Sequence, residues 1–309
     1  MGGGSWDHSS FSSYTARTKK VSLDTSGYVS YDASTSARDI YTSRSLNSDL
    51  NPYKVIRECC ETSEHPDTIP VILALDVTGS MGQAAVEVSK SLGVIMKNLY
   101  TKFKDIEFLI MGIGDLECDS APIQASQFES DIRIAQSLDK LYFEFGGGGN
   151  YYESYSAAWF FGLYQTKLDC WKRGKKGIII TLGDETLNPK LYTSRIKDVT
   201  GQSVQGEKIL TPDLYEMAKK RYDIYHIDVV HGNSSILHPD NVDTFAKVIG
   251  EDNVRQATID QIPDTIVTFI SASVDGNKSE ESINWNKPEV EETVEEEPKA
   301  SILSNEITW

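Results

Sequence analysis

The chain has 309 residues, with 46 acidic and 30 basic side chains giving a formal charge of −16, which opposes non-specific binding to nucleic acid. No run of eighteen apolar residues is present, so no membrane-spanning helix is expected. The four cysteines, Cys59, Cys60, Cys118 and Cys170, form neither a Cys-x-x-Cys pair nor a ladder of disulfide spacings, which points to a reduced, cytoplasmic location.

The start, Met1-Gly2-Gly3-Gly4-Ser5-Trp6, offers no apolar signal core, and Trp6 stands where N-myristoylation needs Ser or Thr. Residues 1–65 are rich in Ser, Thr, Tyr and Gly and keep no sustained period. They read as an irregular arm, mobile or wrapped over a surface. Residues 66–274 alternate strands and helices, which implies an α/β domain: a doubly wound, mostly parallel central sheet flanked by helices. Ile69–Leu75 is continuously apolar, as a strand buried on both faces should be. Ala85, Val88, Leu92, Ile95 and Leu99 follow at helical spacing. Further strands are expected at Ile106–Met111, Leu141–Phe145, Gly177–Leu182, Tyr222–Val230 and Val254–Thr258. Helices are expected from about Glu153 to Lys167, from the Thr211-Pro212-Asp213 start, over Val242–Ile249 and over Ile262–Ala272. Residues 275–309 form an acidic tail. From Ser279 onward it holds nine Asp/Glu against two Lys, a composition expected to be disordered, and it ends in Ile302, Leu303, Ile307 and Trp309.

Asp76-Val77-Thr78-Gly79-Ser80-Met81-Gly82 places a carboxylate and two hydroxyls at i, i+2 and i+4 on the turn between the first strand and its helix. Such a turn lies at the carboxyl end of a central strand, where open α/β sheets bind ligands, and its oxygens suit a hard divalent cation. The bland reading is a strand-to-helix turn in which Thr78 or Ser80 caps the helix. The pattern resembles the von Willebrand factor A domain family, in intracellular, bacterial- or phage-type form. In that family three loops meet at a metal-ion-dependent adhesion site around magnesium or manganese, with calcium a further candidate. On this resemblance Asp76, Thr78 and Ser80 supply the first loop. Asp184, after the strand ending Thr181-Leu182-Gly183, supplies the third, with Glu185 in reserve because the register departs from the family's Thr-Asp-Gly. The second loop departs further. Gly149 stands where the family has a ligating Thr, which leaves Asn150 and Glu153 as substitute oxygen donors. Asp115 falls near the same rim but reads better as a turn cap.

The resemblance implies a non-enzymatic protein-interaction module, with a partner protein held through its acidic side chain at the metal, and the apolar end of the acidic tail reads separately as a docking peptide for another protein. Two alternatives stand beside it. One is a metal-dependent phosphoester hydrolase built on Asp76, Asp115, Asp184 and Glu185. The other is an assembly component in which the ion only stiffens the loops. Position 78 is Thr, which removes the second carboxylate that a haloacid-dehalogenase-type phosphotransferase needs. No Gly-x-x-x-x-Gly-Lys-Ser/Thr phosphate loop occurs. His226 and His231 have no His-x-x-x-His partner and read as structural.

Overall fold

The computed structural model describes residues 4–32, 34–145, 152–231 and 239–276. In chain order the elements begin with α1 (His8–Thr18), capped by the Asp7 carboxylate on the Ser10 N–H at 2.7 Å. Next come α2 (Ala37–Ile40), opened by a Ser36/Asp39 capping box, and β1 (Arg57–Cys59). The sheet then starts with β2 (Ile69–Asp76), α3 (Gly82–Tyr100), β3 (Ile106–Ile113), β4 (Ile123–Ala125) and α4 (Arg133–Asp139). There follow β5 (Tyr152–Glu153), α5 (Ser156–Tyr164), β6 (Thr166–Leu168), β7 (Gly177–Gly183), β8 (Thr186–Leu187), β9 (Lys190–Tyr192), α6 (Thr193–Thr200), β10 (Lys208–Leu210) and α7 (Thr211–Ala218). The described chain closes with β11 (Tyr222–Val230), α8 (Pro239–Ile249), β12 (Val254–Thr258) and α9 (Ile262–Val274).

Six strands make the central sheet in the order β12-β11-β7-β2-β3-β4, all parallel except the edge strand β4. Helices cover both faces because the apolar runs alternate between them. On β2, Val71, Leu73 and Leu75 face the layer of α3, α4 and α9, while Ile72 and Ala74 face the layer of α5, α7 and α8. The fold is therefore the expected α/β architecture. From β2 the chain steps to β3 on one side and later returns to β7, β11 and β12 on the other. The ends of β2 and β7 thus flank a topological switch point, the place where open α/β sheets form ligand crevices.

Several elements differ from their sequence expectations. Leu141–Phe145 is not a strand. The Gln124 amide brackets Tyr142, donating to its C=O at 2.7 Å and accepting from its N–H at 2.9 Å, and so takes the place of a ladder. Phe145 then turns to φ +50, outside extended backbone. The third strand of that side is instead the antiparallel β4. Glu153 lies not in a first helical turn but in β5, paired with Leu187, and α5 begins at Ser156. The Thr211 hydroxyl does not cap α7; it donates to the Asn188 C=O at 2.6 Å. The arm adds α1 and α2 and buries Phe11, Val29, Tyr41 and Leu50 against the α3 layer, with the Tyr41 hydroxyl on the Ala85 C=O at 2.8 Å. The tail beyond residue 276 lies outside the described residues. Among the described residues no helix is long and apolar enough to cross a membrane.

Candidate metal centre

The first loop is built by its own aspartate. Asp76 ends β2 fully buried, and its Oδ1 accepts the Thr78 N–H at 2.8 Å and the Thr78 hydroxyl at 2.6 Å. That closes an Asx turn, which hangs the next hydroxyls over the strand tip. Thr78 Oγ1 lies 3.4 Å from Ser80 Oγ, and Ser80 Oγ donates to Asp184 Oδ1 at 3.0 Å. Oxygens from the ends of β2 and β7, about a hundred residues apart in the chain, thus meet at one spot. Of the two third-loop candidates it is Asp184 that meets Ser80. Glu185 sends its backbone N–H to the Tyr155 hydroxyl at 3.3 Å.

Three further side chains hold this arrangement. The Tyr155 hydroxyl, at the start of α5, donates to Asp76 Oδ2 at 2.7 Å. It reaches Asp76 by passing over β7 at Gly183, where any Cβ would fall inside the Tyr155 ring and hydroxyl. His231, just past β11, places Nε2 2.9 Å from Asp184 Oδ2. Asn241 of α8 donates to the Asp184 backbone C=O at 2.6 Å. The approach to the second loop also touches the first, since a Cβ on Gly79 would lie 3.2 Å from the Phe145 C=O oxygen.

Asp115 is fully buried but forms a turn: its Oδ1 accepts the Glu117 N–H at 2.9 Å, and its own N–H donates to Asp119 at 2.7 Å. His226 is structural. Its ring stacks on Phe245 with centroids 3.4 Å apart, Nδ1 sits 2.9 Å from Thr181 Oγ1, and burial pulls its pKa down to about 3. His231, expected to be structural, instead touches the site. Gly149 and Asn150 lie outside the described residues.

Buried acidic groups crowd this rim. Burial, and then the Asp184 carboxylate, push the Asp76 pKa upward. Glu153 is also pushed upward, first by burial and then by Asp76, Asp119, Asp115 and Glu185. Glu153 is 6% exposed, and its Oε2 has no hydrogen-bond partner among the described residues. A divalent ion would draw each of these groups back toward its ionised form. Two carboxylates and two hydroxyls are a hard oxygen set, which suits magnesium, manganese or calcium better than soft metals. Among the described residues no three His, Cys, Asp or Glu side chains gather as metal holders, so the hydroxyls of Thr78 and Ser80 would have to complete the donor set.

Tyr155, Asn241 and Gly183 escaped sequence reasoning, because nothing local marks a side chain that reaches across a sheet. His231 was within reach, because a parallel strand at Tyr222–Val230 must end on the same rim as Asp76.

No protein-family model matches the chain, and neither does any curated protein. Among solved structures it is similar to the pilus adhesin SpaC from Lactobacillus rhamnosus GG, in its open conformation, with TM-score 0.45 and 11% identity. That match covers 67% of this chain, which spans only 30% of the adhesin. It is similar to the vWF domain of the type V pili tip protein Mfa5 from Porphyromonas gingivalis, with TM-score 0.43 and 10% identity over 69% of this chain and 98% of that domain. It is also similar to proximal thread matrix protein 1 from the mussel byssus, whose adhesion motif holds zinc. There the TM-score is 0.39 and identity 15%, over 65% of this chain and 45% of that one.

Proposed function

We propose that this chain is a protein-interaction module of von Willebrand A type that binds a partner protein through a magnesium or manganese site at the carboxyl edge of its sheet. Asp76, Thr78, Ser80 and Asp184 would hold the ion, with Asn150 and Glu153 contributing further oxygens directly or through water and Tyr155 and His231 orienting the two aspartates. The observation that carries this reading is the Ser80–Asp184 contact, which closes the oxygen cluster between two strand tips at the switch point. An ion there supplies charge and an open coordination position to a partner. The chain's own residues orient the donors, and the tail end, Ile302 to Trp309, offers a second contact.

Pulldown from a cytosolic extract with and without EDTA, comparing the wild type with Asp76→Ala, tests the proposal. A partner lost on chelation and in Asp76→Ala supports it, and one kept in both defeats it. A chain cut at Lys287 shows whether the tail contributes. Should chelation lower Tm but leave the partner bound, the ion serves only to stiffen the loops.

A further inference from the structure

We propose that Glu153 completes the metal shell from within the chain, holding a water of the bound ion in place of the missing second-loop hydroxyl, so that no partner carboxylate is needed there. This rests on the metal-site reading above and specifies how that site recognises its partner.

The placement of Glu153 comes from three contacts. Its strand β5 pairs with β8, the segment that directly follows Asp184 and Glu185, and its C=O accepts the Asn188 N–H at 3.2 Å. Ser154 Oγ accepts the Leu116 N–H at 3.0 Å, which ties the same segment to the Asp115 loop. Two residues on, the Tyr155 hydroxyl is on Asp76. Glu153 is therefore walled in by the site's own loops, with 6% of it exposed. Its Oε2 finds neither a hydrogen bond nor a cation among the described residues. Burying a carboxylate without a partner is costly, and removing its counter-charge costs more than leaving it in water. A cation arriving nearby stabilises such a carboxylate.

Among the described residues no three His, Cys, Asp or Glu side chains gather to hold an ion, so Glu153 is assigned a place one water away from the ion rather than in direct contact with it. Magnesium keeps several of its waters and takes only one or two protein carboxylates, and outer carboxylates that hold such waters govern affinity. The charge balance then changes the partner. With the ion bound, Asp76, Asp184 and Glu153 together offset both of its charges, so an incoming acidic side chain is not needed to neutralise the site. The surface suits a neutral or basic group instead.

The test is calorimetric titration of Mg2+ and Mn2+ into the full chain, in acetate and in chloride at matched ionic strength. Wild type should bind equally in both salts. Glu153→Ala should bind about 10- to 100-fold more weakly in chloride and recover in acetate, which enters the vacated space. Glu153→Gln, isosteric and uncharged, should fall between. Without metal, Glu153→Gln should melt at or above the wild-type temperature, whereas its Mg2+-induced rise in Tm should be smaller. A merely structural Glu153 would produce neither the acetate recovery nor these opposite signs. Equal affinity of Glu153→Ala and wild type in chloride overturns the inference, as does acetate tightening the wild type as much as the variant. No ion uptake by wild type removes the metal site itself. Uptake by wild type with Glu153→Ala unaffected removes the Glu153 role alone.

Discussion

Asp76 is satisfied on one oxygen by its own turn and on the other by Tyr155, a residue 79 positions away. Such an outer contact holds a ligand's orientation, and its loss weakens metal binding about tenfold or more in comparable sites. Tyr155→Phe is therefore expected to raise the Mg2+ dissociation constant by about that factor, read by calorimetry. It should also cost about 1–3 kcal/mol in the metal-free protein, because a buried acceptor loses its donor. Gly183 belongs to the same device. Gly183→Ala forces a methyl into the Tyr155 ring, at a cost of about 1–3 kcal/mol by urea unfolding. In a Tyr155→Ala background that cost should nearly vanish, because the obstacle is gone. Full additivity of the two changes would show that the overlap is not the reason for the glycine. The first-loop residues could be read from the chain because an Asx turn is local. Tyr155 and Gly183 could not, because their meeting depends on how α5 crosses the sheet.

The legible strands of the central sheet are β2, β3, β7, β11 and β12, of which β2 and β7 carry long apolar runs buried on both faces. Helical spacing found α3, start and stop signals found α7 and α8, and α9 was expected in its place. The small pairs β5–β8 and β9–β10 and the antiparallel edge β4 were not legible. Each has two or three residues and is fixed by tertiary contacts such as the Gln124 clasp on Tyr142, not by local preference. α5 shows the limit from the other side. With Ala157 to Leu163 buried all round it has no polar face to mark its ends, so its start was placed too early. Within β11, His226 gives this layer a pH signature. The unfolded imidazole takes a proton as pH falls below about 6.5, whereas the folded one stays neutral to about 3. The unfolded state then binds more protons, so stability is lost as pH falls through that window, by up to ~1.4 kcal/mol per unit. His226→Phe lacks this contribution. The stability of wild type relative to His226→Phe should therefore decline in steps between pH ~6.5 and ~4, by urea unfolding. A pH-independent difference would sink the assignment of His226 as a neutral buried stack.

At the scale of the molecule, the arm is the part whose physics its composition concealed. Ser and Tyr enrichment suggests a segment with too little apolar surface to fold. Four widely spaced side chains nevertheless carry it: Phe11, Val29, Tyr41 and Leu50 are each 2% exposed or less, all against the α3 layer. Full burial of such side chains contributes about 1.5–3 kcal/mol each, a gross gain on the order of 10 kcal/mol before the entropy of ordering the arm is subtracted. Since domains are stable by only about 5–15 kcal/mol, even a modest net share decides whether the sheet stands alone. The arm also reaches the rim that carries the proposed ion site. Ala37 Cβ would sit 3.0 Å from a Cβ on Gly82 at the start of α3, and the Arg38 guanidinium lies 4.6 Å over the Phe145 ring, whose backbone abuts Gly79. A fragment of residues 66–274 is therefore expected to melt well below the full chain, bind a hydrophobic dye on its bared α3 face, and lose Mg2+ affinity together with stability. The arm supplied as a separate peptide of residues 1–65 should restore both. If the fragment melts within a few degrees of the full chain, the arm is an appendage and the fold is complete without it.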